Sequence, residues 1–204
     1  AAKAGCYVFD CVSVVSIHLT KLIRQCSAEL LSYPLALSLL EGPEMGVLLV
    51  ALERRGVDDV DIWMLWQELL RERVSIRDRL TILQSLLRQP TVTLAERIEV
   101  ARRALALQIC SQLEIGGLLR IARLTPDQEA LLEDSQPSQL WPSLAALVPA
   151  FNGRPIFVCR PELRRRLRDL GHVVLPEAHF LSSSELVGAQ QVEDLSLRAS
   201  QGLI

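Results

Sequence analysis

Residues 155–175 read PIFVCRPELRRRLRDLGHVVL. Pro155 to Cys159 is a short apolar run between prolines, the pattern of a buried strand. In the next segment, Pro161 to Leu170, the residues Leu163, Leu167 and Leu170 lie three and four apart. That spacing predicts a helix with one buried stripe, closed by Gly171. His172 to Leu175 then reads as a second strand. A strand, a helix and a strand with connections this short make a parallel pair with a right-handed crossover.

Working outward, Leu118 to Leu124 reads as another strand, and Thr125-Pro126-Asp127-Gln128 opens a helix with a capping hydroxyl and a proline in its first turn. On the other side Ser182 and Glu185 cap a further short helix, and Val192 to Leu197 alternates as an edge strand. Gly116-Gly117 separates all of this from a helical first half. The expected fold class is α+β, an all-helical part followed by a small α/β part with a mixed sheet.

In the first half, Val12, Val15, Leu19, Leu22, Ile23, Cys26 and Leu30 fall on one helical face, which predicts a buried stripe ended by Tyr33-Pro34. Tyr7 to Phe9 reads as a strand with no partner nearby, so the chain is expected to begin part-way through a larger protein. Further helices are expected over Leu35 to Leu40, over Met45 to Arg55 stopped by Gly56, and over Ile62 to Glu72 opened by Asp58, Asp59 and Asp61. Trp63 and Trp66 read as core. Ser75 with Asp78, and Thr93 with Glu96, form two apparent capping boxes that start helices at Ile76 and Leu94. The second of these runs to Gln112, buries Ile98, Ala101, Leu105 and Ile109, and exposes Arg102, Arg103 and Gln108.

Across 204 residues, 22 Lys and Arg face 24 Asp and Glu, a formal net charge of -2. Such a balance gives no bulk field for nucleic acid or an anionic membrane. The longest uncharged stretch, Ser135 to Gly153, is broken by Pro137, Pro142 and Pro149, so no span of a bilayer is expected. The N-terminus is a poor match to a cleaved signal.

The five cysteines are scattered and odd in number, which fits reduced thiols. Cys6, Cys11 and His18 match no zinc spacing. No phosphate-cradling glycine loop, His-Glu-x-x-His or Gly-x-Ser-x-Gly motif occurs. Cys159, His172 and His179 could meet across the sheet, but no third orienting group is visible. Arg160, Arg164, Arg165, Arg166 and Arg168 form the one conspicuous charge cluster, read as a solvated helix face or as a surface for an acidic partner or RNA.

The run Leu69-Leu70-Arg71-Glu72-Arg73-Val74-Ser75-Ile76-Arg77-Asp78, followed by Thr81-Ile82-Leu83, resembles the export-gate family of flagellar and type III secretion systems, the FlhA family. Ile17-His18-Leu19 and Ala28-Glu29-Leu30-Leu31 upstream are similar to that family's first-helix pattern. Downstream, so are Pro155 to Val158, Leu163, Arg165 and Leu181-Ser182 with Glu185. The chain departs from the pattern at Cys11, Ile17 and Ser32-Tyr33-Pro34, and so looks like a divergent member.

The resemblance implies the cytoplasmic part of a large inner-membrane protein, assembled as a nonameric ring. In that frame residues 1–32 are the tail of an upstream α/β subdomain plus a connecting helix, 33–112 an all-helical subdomain and 113–204 a small α/β subdomain. It implies a binding platform, with no catalytic, cofactor or metal residue. Its partners would be further copies of itself, secretion substrates and their chaperones, gatekeeper or switch proteins, and an ATPase-stalk protein. Nucleic acid is not among them, and membrane contact is made only through an N-terminal half absent from this sequence. Arg77, Asp78, Arg102 and Arg103 are the expected oligomer contacts; Trp141, Arg160, Arg164 and Arg168 are the expected partner-facing residues. The competing readings are a thiol-dependent enzyme using Cys159, His172 and His179, and an RNA-binding fragment, both built on the C-terminal α/β part.

Overall fold

Side-chain caps set several of the helix starts. The computed structural model describes residues 10–89, 92–134, 137–151, 153–189 and 191–196. The strand expected at Tyr7 to Phe9 lies outside them. The chain divides into two compact units, Ala1–Ala101 and Arg102–Ile204. The division falls inside a helix, ahead of the glycine pair at which the sequence suggested it.

The first unit is helical: α1 (Cys11–Gln25), α2 (Ser27–Leu30), α3 (Tyr33–Leu39), α4 (Pro43–Glu53), α5 (Asp59–Arg71), α6 (Arg79–Arg88) and most of α7 (Leu94–Ala104). Asp58 caps α5 in a reciprocal box with Asp61, so two otherwise orphaned backbone donors are satisfied. The helix expected to run up to Tyr33-Pro34 instead breaks at Cys26 into α1 and α2 and is over by Leu30; Tyr33-Pro34 opens α3, where the missing donor of a first-turn proline costs nothing. Ile62, Leu65, Trp66 and Leu69 of α5 are fully buried with Leu52, Ile82 and Leu83. Trp63 lies beside them: its indole donates to the Leu31 carbonyl at 2.8 Å and its ring meets Tyr33 edge-on at 5.6 Å. Trp66 is therefore core, and Trp63 is half-buried at its edge.

Three further expectations about the helices fail. The stripe on α1 is not covered: none of its residues is buried, and Val12 is 75% exposed. Ser75 does not cap a helix. Asp78 does, accepting from the Thr81 amide at 3.1 Å, and the helix begins at Arg79. Both residue types cap well, and Ser75 Oγ is instead used three residues earlier to accept the Arg77 amide at 3.3 Å in a local turn. Finally, the long helix expected from Leu94 breaks at Leu105, whose amide bonds back to Arg102 at 3.1 Å, before α8 (Ala106–Leu113).

The second unit holds α8 and a sheet of β1 (Leu119–Arg123), β2 (Ile156–Cys159), β3 (His179–Ser182) and β4 (Val192–Asp194), in the order β3-β2-β1-β4. Every pair is parallel, which corrects the mixed sheet expected from sequence: β1 is joined to β2, and β2 to β3, by helical crossovers, the connection that parallel neighbours require. Around the sheet lie α9 (Pro126–Glu133), α10 (Trp141–Leu147) and α11 (Pro161–Val174), with a 3-10 helix at Ser183–Gly188. The core is Leu119, Ile121, Phe157, Leu132, Leu140 and Leu167, with Phe157 stacked on Phe180 at 6.2 Å and edge-on to Phe151 at 5.7 Å.

Gly171 does not stop α11. It lies inside the helix with the Phe180 ring against it: a Cβ there would collide with Phe180 Cζ. The helix consequently absorbs His172 to Val174, read from sequence as a strand, and the true partner of β2 is β3.

Candidate docking surface

The corner between α5 and α6 is built by the motif Arg73 to Asp78. Arg73 holds φ 59°, a left-handed position rare for a residue with a side chain. Its amide returns to Leu70 at 2.9 Å and the Val74 amide to Leu69 at 2.8 Å, the paired bonds that close a helix in the Schellman manner. Val74 is buried, Ser75 turns the chain, and Asp78 starts α6. Arg77 is left outermost and exposed, and Asp78, although exposed, is occupied as the cap.

Of the other expected contact residues, Arg103 is exposed. Arg102 is not. Its side chain is 3% exposed and pairs at 2.6 Å with Glu185, itself 1% exposed. Glu185 Oε2 also accepts from the Ser182 amide at 2.6 Å and hydroxyl at 2.9 Å, closing the capping box expected there. Cys110 Sγ donates to the Glu185 carbonyl at 3.2 Å. Burial, then the charges of Glu185 and Glu114, push this thiol up to about 11, so it stays protonated near neutrality. Sequence reading missed this cluster because Arg102 and Arg103 are adjacent and equally polar, and nothing local marks the first as the one that meets Glu185.

The arginines near α11 also separate. Arg160 caps nothing with its side chain. It binds Glu129 through its amide at 2.8 Å and its Nε at 2.6 Å, and Glu133 through Nη2 at 2.8 Å, joining α9 to the start of α11. The Glu129 hydrogen bond, its charge and Glu133 together hold the guanidinium pKa above its ordinary value. Arg164 is 0% exposed and faces the interior, so it is withdrawn from the partner-facing set. Arg168 is half-buried and meets Asp169 at 2.9 Å. Trp141 is half-buried in the first turn of α10. What α11 does present is a shallow groove of about 480 Å³ lined by Pro137, Glu162, Arg165, Arg166, Asp169 and Leu170.

Strand register separates the residues of the thiol reading. Cys159 faces Ser182 across the pair while His179 faces Ile156, and His172 is exposed on α11. No group of three His, Cys, Asp or Glu able to hold a metal ion occurs among the described residues. Cys6 lies outside the described residues; Cys11 is exposed. Nor is any single described helix long and apolar enough to cross a membrane, although α3 and α4 pass that test together across a 116° bend.

A model of the FHIPEP family matches residues 1–191. The flagellar biosynthesis protein FlhA of Caulobacter vibrioides is 36% identical over 141 residues, covering 63% of this chain and 19% of that protein. Among solved structures, the CdsV protein of Chlamydia pneumoniae aligns with a TM-score of 0.82 at 22% identity, over 95% of this chain and 61% of that one. CdsV in complex with CdsO gives a TM-score of 0.80 at 19% identity, over 95% and 64%. Nonameric SctV-C of EPEC gives 0.78 at 21% identity, over 89% and 61%. The chain thus spans about a fifth of its FlhA relative and about three fifths of these solved chains.

Proposed function

Because the chain belongs to the FHIPEP family, we propose that it forms part of the cytoplasmic platform of a type III secretion export gate, flagellar or virulence-associated. Its activity is binding, with no bond-making centre of its own. The observation that carries this reading is the family match over residues 1–191, with the FlhA likeness beside it. The platform assembles as a ring of copies, a reading supported by the fold shared with nonameric SctV-C. It works at the cytoplasmic face of the inner membrane and receives secretion substrates, their chaperones, gatekeeper or switch proteins and an ATPase-stalk protein. The likeness to CdsV, solved together with CdsO, supports a secretion partner on this fold.

Arg77 and Arg103 are exposed cations suited to contacts between copies, and the charged groove on α11 is suited to a partner. Arg102 and Arg164, being interior, act by holding the α/β unit in shape. In the intact protein of a secreting cell, Arg77→Glu is expected to reduce ring assembly and secretion together while leaving the purified chain folded by circular dichroism. Secretion and assembly unchanged by that variant would remove Arg77 from the interface; a purified chain that turns over a small molecule would overturn the platform reading.

A further inference from the structure

β3 is the last strand of its sheet, with β2 on one side and no strand on the other among the described residues. Its Phe180 and Leu181 side chains are buried, and an open edge on so apolar a strand is a ready template for another chain. The N–H and C=O of one strand residue point to the same side, and those of the next residue to the opposite side. The His179 amide donates to the Pro155 carbonyl at 2.8 Å, just ahead of β2. His179 and Leu181 therefore turn their backbone groups toward β2, and Phe180 and Ser182 turn theirs to the free edge.

Two side chains meet those edge groups. The Ser182 amide donates to Glu185 Oε2 at 2.6 Å, and Arg102 Nη2 donates to the Phe180 carbonyl at 3.5 Å, the outer reach of a hydrogen bond. Arg102 and Glu185 pair with each other at 2.6 Å, and both side chains are buried. A parallel neighbour would use the N–H and C=O of one residue to bridge just such a carbonyl and amide, two residues apart. A buried ion pair is on balance no more stabilising than apolar residues of similar volume. What apolar residues cannot do is satisfy an amide and a carbonyl on a sheet edge.

The opposite edge is protected differently. β4 has three residues, and its Glu193 and Asp194 are engaged by Arg120 at 2.8 Å and Arg123 at 3.1 Å. A short, charged strand is a poor template. β3, His-Phe-Leu-Ser, has no carboxylate or guanidinium of its own and borrows those of Arg102 and Glu185.

We propose that the Arg102–Glu185 pair stands where a fifth strand of this four-stranded sheet would lie, and closes the β3 edge against strand addition by an extended segment of a second chain. Copies of the α/β unit are thereby kept from joining sheet to sheet. This closure is a property of the α/β unit and does not depend on the platform reading.

The test uses the purified chain carrying Arg102→Met and Glu185→Leu together, which keeps the site filled while removing both hydrogen-bonding groups. A fluorescent peptide copying residues 178–183 should bind this variant about tenfold or more tighter than it binds the parent, measured by anisotropy. Glu185→Gln keeps an acceptor for the Ser182 amide and should bind the peptide no better than the parent. Circular dichroism establishes that each variant is folded. A folded double variant that binds the peptide no better than the parent overturns the proposal, and so does a Glu185→Gln chain that binds it as tightly as the double variant. Should the double variant fail to fold, hydrogen exchange in the parent gives a separate reading. There the Ser182 amide is expected to exchange as slowly as the His179 amide, and exchange at the rate of an open edge amide overturns the closure.

Discussion

α4 has no charged residue from Met45 to Leu52 and half of it stays open, whereas α11 carries four arginines and buries one of them completely. What decides burial is the neighbour and not the composition of the helix. α11 lies against β2 and β3, a broad apolar floor, so even Arg164 is carried inside alongside Leu163 and Leu167. α4 packs on α6, and among the described residues its other side stays open at Val47 and Val50. The same contrast appears in two capping boxes of identical form, Thr93 with Glu96 in the helical unit and Ser182 with Glu185 in the α/β unit. The first is exposed to water; the second is sealed and given its own guanidinium. The α/β unit closes its box off from water, while the helical unit leaves its own in solvent.

The largest effect expected from that contrast lies at the sealed box. Glu185→Ala takes from the buried Arg102 guanidinium its carboxylate at 2.6 Å and removes the acceptor of the Ser182 amide, and should cost about 3–5 kcal/mol. Urea denaturation followed by circular dichroism would measure it. Replacing both partners by apolar residues, as in Arg102→Met with Glu185→Leu, should cost less than the single change. If the single change is as mild as a surface substitution, the α/β unit is not closed in the sense argued. Next in size is Gly171→Ala. The added methyl meets the Phe180 ring, and repacking should cost about 1–3 kcal/mol; Phe180→Leu in the same chain should return part of it.

Sequence was informative where a signal is local. The Asp58 and Thr125 caps, the buried run Ile156 to Cys159 and the glycine turn at Gly116-Gly117 need only their own neighbours to form, and all are present. It failed where two local signals compete or where the cause is distant. Ser75 and Asp78 are both good caps, and the choice between them depends on where Arg73 ends α5. Gly171 looked like a stop because the Phe180 ring that requires it lies on another element. The stripe on α1 has the right period and no partner among the described residues, since periodicity says which face is apolar and not what covers it. At the candidate surface, Arg77 was legible as an outward residue of a fixed corner, while Arg102 and Arg164 were indistinguishable in sequence from their exposed neighbours.

A smaller effect separates the two candidate caps of α6. Asp78→Ala should cost about 1 kcal/mol, the usual loss for an N-cap, and Ser75→Ala less, because its hydroxyl does not cap the helix. Thermal unfolding of both variants measures the difference. Equal losses would mean that Ser75 shares the capping.

The smallest effect belongs to the exposed box at the start of α7. Glu96 Oε2 accepts from the Thr93 amide at 3.0 Å and the Val92 amide at 2.8 Å, and these bonds, that of Thr93 foremost, lower its pKa below the ordinary carboxylate range. A lowered folded-state pKa contributes stability that is complete above the unfolded value and is lost as pH falls through the folded one. Acidification should therefore loosen the first turn of α7, and Glu96→Gln should remove that pH dependence. Hydrogen exchange of the Val92 and Thr93 amides, followed downward from neutral pH, reads it directly. The sealed box at Ser182 provides the contrast, because there the carboxylate faces a buried guanidinium in place of water. If the Val92 and Thr93 amides keep their protection through the carboxylate range in the parent chain, the exposed box is not held by the Glu96 charge, and the two boxes do not differ in the way their burial implies.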